Sequence, residues 1–205
     1  MQALRRSSTL PFLLLLACSP GQTADRQTGE SSAAFATAAP SPEALARARG
    51  VADALGKDLQ SRLFAALDSG GPAHAITYCA DSAQALSARH AAEGVYIRRV
   101  SLRVRNPANR PDSAEERDLR RLDSLKAAGA LPGEVARMGR LSTGEPVVEY
   151  LRPIVVQERC LACHGARDQL AAPMRRLIAD RYPDDQATGY QAGDLRGMIS
   201  VRVRP

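Results

Sequence analysis

The sequence predicts an α+β domain built on an antiparallel sheet. Two observations carry this: apolar residues recur at helical spacing through the first half of the chain, and later segments alternate with a period of two. Helices come first and strands mixed with a helix follow, and no internal repeat is present.

The first helix starts at Ser41-Pro42-Glu43, which joins a capping hydroxyl, a proline at the first helical position and an acid in the first turn. Leu45, Ala48, Ala52, Leu55, Leu59, Leu63 and Ala66 then line one face until Gly70-Gly71 stops the helix. Pro72 opens a second helix with Ile76, Cys79 or Ala80, Ala83, Leu86 and His90 on its inner face, ending before Gly94. From there Val95, Ile97, Val100, Leu102 and Val104 predict one or two strands. A loop follows over Asn106-Pro107-Ala108-Asn109-Arg110-Pro111. Asp112 to Ala128 is an amphipathic helix closed by Gly129, with Leu119, Leu122 and Leu125 on one side. Two strands flank Ser142-Thr143-Gly144-Glu145, the second over Pro146 to Gln157, and Leu195 to Val203 is a last strand.

The chain has 205 residues, enough for one domain once targeting segments are set aside. Residues 1–17 read as a signal peptide: Arg5 and Arg6 precede an apolar run from Leu10 to Ala17. At about 1.5 Å per residue that run reaches about 12 Å, far short of a bilayer core of about 30 Å. Leu15-Leu16-Ala17-Cys18 resembles a bacterial lipobox, which implies that Cys18 is lipidated and becomes the mature N-terminus; an ordinary cleavage nearby, with Cys18 a passenger, is the other reading. Residues 18–41 are poor in large apolar side chains and read as a flexible tether, leaving 42–205 as the folded domain. The expected location is the periplasmic side of a bacterial envelope, with the lipid holding the protein to a membrane. The net charge of +6 comes from arginines interleaved with acids, as in Glu115-Glu116-Arg117-Asp118-Leu119-Arg120-Arg121. Such runs are solvated helix faces, so nucleic acid is not an expected partner.

The chemistry is concentrated at Cys160-Leu161-Ala162-Cys163-His164. C-x-x-C-H is the attachment sequence of c-type haem: the two thiols reach the porphyrin vinyl groups and the histidine supplies an axial nitrogen to iron. A disulfide oxidoreductase would place C-x-x-C near the start of a βαβ unit, and zinc would need further ligands. Aromatics make up only 4% of the chain and tryptophan is absent, so a flat macrocycle would supply a large hydrophobic body otherwise missing. Cys79 is then left over in an oxidising compartment. It is either a small buried core residue or the second axial ligand as thiolate, with His74, His90, Met138, Met174 and Met198 as rivals for that position.

Four blocks between about 43 and 204 carry a wider resemblance. They are Ala75-Ile76-Thr77-Tyr78-Cys79; Val100-Ser101-Leu102-Arg103-Val104-Arg105-Asn106-Pro107-Ala108-Asn109 with Pro111-Asp112; Glu149-Tyr150-Leu151-Arg152-Pro153-Ile154 leading into Cys160-Leu161-Ala162-Cys163-His164-Gly165; and Gly189-Tyr190-Gln191-Ala192-Gly193-Asp194-Leu195-Arg196-Gly197. In these the chain resembles the exported monohaem c-type proteins with a PAS-like domain, long known as a domain of unknown function. The resemblance implies a PAS-like sheet joined to N-terminal helices and iron held between His164 and Cys79. It also implies sensing of redox state or small gases, since members are often attached to signalling modules. Position 114 is Ala where the family tends to have Trp, which puts the packing of that loop in question.

Three functions are open at this point. A sensor would change ligation on reduction or on binding nitric oxide or carbon monoxide, and would signal to a separate partner. An electron-transfer lipoprotein would need only a partly exposed haem edge. A peroxidase-like enzyme would need a distal His and Arg pair, and the sequence does not favour one.

Overall fold

The computed structural model describes residues 39–205; the signal segment and Cys18 lie outside the described residues. Helix α1 spans Pro42–Arg89 and is broken at Gly71, whose φ of 69° lies in the left-handed region that only glycine adopts at little cost. The predicted two helices are therefore two arms of one broken helix. Ser41 caps the first arm, its side chain accepting from the Ala44 amide.

Strands β1 (Val95–Val100), β2 (Val135–Arg140), β3 (Pro146–Val155) and β4 (Leu195–Val203) form one antiparallel sheet in the order β1-β4-β3-β2. Period-two alternation divides its side chains between two cores. On one face Val95, Ile97, Val148, Tyr150, Val201 and Val203 pack against Ala44, Ala48, Ala52 and Leu55 of the first arm of α1. On the other, Val100, Val135, Leu151 and Met198 meet Leu119 and Leu122 of helix α2 (Ser113–Ala127). The small alanines let the first arm lie close to the sheet. The α+β class and its antiparallel sheet are as the sequence predicts.

Helix α2 begins with a full capping box: Asp112 accepts from the Ala114 and Glu115 amides, and Glu115 accepts from the Asp112 amide. These bonds close the loop around Ala114 with no large aromatic there. Three features depart from the expectation. Strand β1 stops at Val100, so Leu102 and Val104 are not in a strand. Ser101 turns the chain, its hydroxyl donating to the Arg196 carbonyl. Beyond the C-x-x-C-H turn, helix α4 (Ala172–Arg181) packs Met174 and Ile178 against Ile76 on the second arm of α1.

The third departure sits in the β3–β4 ladder. Ile154 pairs with Gly197 and Val155 with Leu195, so Arg196 is an extra residue on the β4 side. A bulge of this kind re-aims its side chain. Gly197, beside it, is needed for close approach: a Cβ there would sit 2.3 Å from the Val100 carbonyl oxygen. Gly197→Ala is expected to lower stability by about 1–3 kcal/mol through overpacking, read as a lower urea midpoint at unchanged slope.

Candidate functional site

Both arms of α1, the end of β1, the end of β3 and the segment from Glu158 to His164 enclose a cavity of about 260 Å³. Its apolar wall includes Leu63, Ile76, Ala83, Ile154 and Val156. Into it face Cys79, Cys160, Cys163 and His164 together.

A 3-10 turn (Glu158–Cys160) runs directly into the single helical turn α3 (Leu161–His164). That continuity sets the two thiols three residues apart on successive turns, with the imidazole next to the second. Segment 185–190 straps this turn from outside. The Gly189 amide donates to the Gly165 carbonyl at 2.7 Å and the Tyr190 amide to the His164 carbonyl at 2.9 Å. His164 Nδ1 lies 2.6 Å from the Ala187 carbonyl oxygen. A carbonyl can only accept, so Nδ1 carries the proton and Nε2 keeps its lone pair. The Tyr190 ring meets the imidazole edge-on at 6.1 Å and is itself covered by the Arg103 guanidinium at 4.0 Å.

The strap is clamped by a buried ion pair. Arg105 Nε donates to Asp185 at 2.9 Å, with side-chain exposures of 9% and 0%. Arg105 also donates to the Cys163 carbonyl at 2.7 Å and the Ala187 carbonyl at 3.2 Å, and Asp185 accepts from the Ala187 amide at 3.0 Å. One guanidinium thus ties the C-x-x-C-H turn to the strap that orients its histidine, in the manner of the outer partners of metal-bound histidines.

Burial, joined by the positive charges of Arg196 and Arg105, pulls the His164 imidazole down to about 3. It is neutral across the physiological range, the form that binds a metal. Burial pushes the Cys79 thiol up, against the opposing charge of Arg99. It pushes Cys163 up as well, against Arg105. Redox-active C-x-x-C cysteines show the reverse, a lowered thiol pKa. Cys79, Cys160 and Cys163 are all free of disulfides. No three His, Cys, Asp or Glu side chains converge to hold a bare metal ion among the described residues.

Of the candidates for the position opposite His164, only Cys79 lines the cavity. His74 is exposed. His90 pairs with Asp58 at 3.2 Å. Met198 is buried in the core between the sheet and α2, Met174 in the cluster that α4 forms with Ile76, and Met138 packs against the first arm's core. The sequence reading missed the roles of Arg99, Arg105, Asp185, Ala187 and Arg196. Arg105 and Asp185 lie 80 positions apart, and no local pattern links them.

The Tll0287-like family matches residues 22–204. The chain belongs to the Tll0287-like family. A solved relative is the cyanobacterial heme-protein Tll0287, 26% identical over 80% of this chain and 97% of that one, with a TM-score of 0.58. No curated protein matches the chain. For a Tll0287-like chain the donor set fits haem: an apolar slot holds two thiols and an imidazole on one turn, with a third thiol in the same cavity.

Proposed function

We propose that the cavity takes one haem c, joined by thioethers to Cys160 and Cys163, with His164 and Cys79 as axial ligands, and that the protein senses redox state or a diatomic gas. The observation that carries this is the meeting, in one cavity, of the C-x-x-C-H turn with a thiol brought by the second arm of α1. Iron bound there would supply one-electron chemistry and a site for nitric oxide or carbon monoxide. The chain's own part is to hold the His164 Nδ1 proton on Ala187, to present Nε2 and Cys79, and to exclude water with aliphatic walls.

The Gly71 break supports sensing over plain electron transfer, because Cys79 sits on an arm whose backbone is separated from the sheet-packed first arm. Release of the thiol would remove one of the contacts holding that arm, and α4 packed on it, a change that a separate redox or signalling partner would read. Neither His74 nor His90 lines the cavity, which fits a binding protein better than a peroxidase. The antiparallel sheet with N-terminal helices supports the PAS-like reading of the domain. Export by residues 1–17 and lipidation at Cys18 would place it on the periplasmic face of a membrane.

The test is the full chain made in bacteria that attach haem c. We expect the mass of polypeptide plus one haem, a low-spin ferric spectrum with a thiolate charge-transfer band, and a shifted Soret band when carbon monoxide is added to reduced protein. Colourless protein would end the haem proposal. A coloured protein whose reduced form refuses carbon monoxide and nitric oxide would favour the electron carrier. The Cys160→Ala, Cys163→Ala double variant should carry no covalent haem.

A further inference from the structure

Two arginines face the cavity with their Nε donors unsatisfied. Arg99 Nε and Arg196 Nε are buried and have no hydrogen-bond partner, and neither side chain is ion-paired among the described residues. Arg196 Nη1 reaches only neutral oxygens, Ser101 Oγ at 2.6 Å and the Arg103 carbonyl at 3.2 Å. Burial works against both guanidinium charges, yet arginine stays protonated in proteins. A buried unpaired charge is costly, and buried charges are accordingly paired.

The charges around the cavity show what is missing. Arg99, Arg105 and Arg196 line it together with Arg159. Arg105 is balanced by Asp185, and Arg159 is paired with Asp68. Arg99 and Arg196 remain, two guanidinium groups in no ion pair among the described residues, each with an unsatisfied buried Nε. They come from neighbouring strands, β1 and β4. Arg99 follows Val95 and Ile97 by the period of two, and Arg196 is the bulge residue. The bulge therefore adds a second guanidinium to a cavity that strand alternation alone would supply with one.

We propose that Arg99 and Arg196 form an anion subsite inside the cavity that takes the two propionate carboxylates of the porphyrin. This rests on the haem reading and adds to it which edge of the macrocycle is buried, and against what. A guanidinium is suited to the task, since its planar fork of N–H donors matches a carboxylate. The two carboxylates would neutralise the pair and satisfy the orphaned Nε donors.

The experiment compares ferric haemin with haemin dimethyl ester, in which both propionates are uncharged, binding to the full chain purified free of haem. Soret titration reads the dissociation constants. The ester is the more apolar ligand, so an apolar slot by itself would favour it. We expect haemin to bind at least tenfold more tightly than the ester. That ratio should fall to threefold or less in the Arg99→Met, Arg196→Met double variant and persist with Arg99→Lys and Arg196→Lys. Equal binding of the two ligands by the unaltered chain would overturn the subsite and leave the haem reading standing, and this arm needs no variant to fold. An undiminished ratio in the methionine variant would overturn the assignment to these two residues. Binding of neither ligand would overturn the haem reading and the subsite with it.

Discussion

Arg105→Met is expected to lower the unfolding free energy by about 3–5 kcal/mol, among the largest losses available to a single substitution in this protein. The guanidinium holds Asp185, the Cys163 carbonyl and the Ala187 carbonyl at once. Its removal leaves the Asp185 carboxylate with 0% side-chain exposure and no cation beside it. Urea unfolding checks the magnitude. Adding Asp185→Leu to Arg105→Met should recover a large part of the loss, because the stranded charge is then gone.

The same pair sets an acid response. Burial alone would raise the Asp185 carboxyl. The hydrogen bonds and charge of Arg105, with the Ala187 amide, outweigh burial and hold it below the usual carboxylate range. A lowered native pKa means that the unfolded chain binds the proton more readily. The contribution is therefore complete above the unfolded value of about 3.9 and is lost as pH falls through that value and below it. In Arg105→Met the partnerless buried carboxyl would instead bind its proton more tightly folded than unfolded, so its penalty is full at neutral pH and shrinks as pH falls. Unfolding midpoints measured from pH 3 to 7 separate the two profiles.

Cys79→Ala should raise the reduction potential of the haem-loaded protein by at least about 60 mV, a tenfold change in the one-electron equilibrium. Thiolate donation stabilises ferric iron, so its loss favours the reduced form. Stability should change little by comparison, since the side chain is small and only half-buried. Spectroelectrochemical titration measures the potential, and the thiolate charge-transfer band should disappear with the substitution. An unchanged band and potential would show that another residue holds the sixth position, against the placing of His90 beside Asp58 and of Met174 and Met198 in the cores.

The elements that rest on local physics were legible in the sequence. The Ser41 cap, the glycine break, the Asp112 helix start and the run from Leu195 to Val203 are all found where periodicity and capping put them. The C-x-x-C-H turn was equally plain. Helix α4 was not, because its apolar positions are few and set among Arg175, Arg176 and Asp180. Leu102 and Val104 continued the strand alternation on paper, yet the Ser101 bond to Arg196 diverts the chain. The arginines of the cavity were unreadable for a different reason. Nothing near Arg99 or Arg196 in the chain distinguishes them from the many solvated arginines; a sheet neighbour and a bulge do.

The cavity is walled on one side by a helix arm from the first half of the chain and on the other by segments from its last quarter. Residues 158–164 can present their thiols as a short local stretch, well before the opposite wall has docked. A prosthetic group stitched to a still-loose polypeptide would gain its sulfur from Cys79 only when the two ends of the sequence come together. Colour would then report assembly: the absorption of a mature molecule would differ from that of a half-folded one, and the growth of the thiolate band in a refolding time course would clock the closing of the domain.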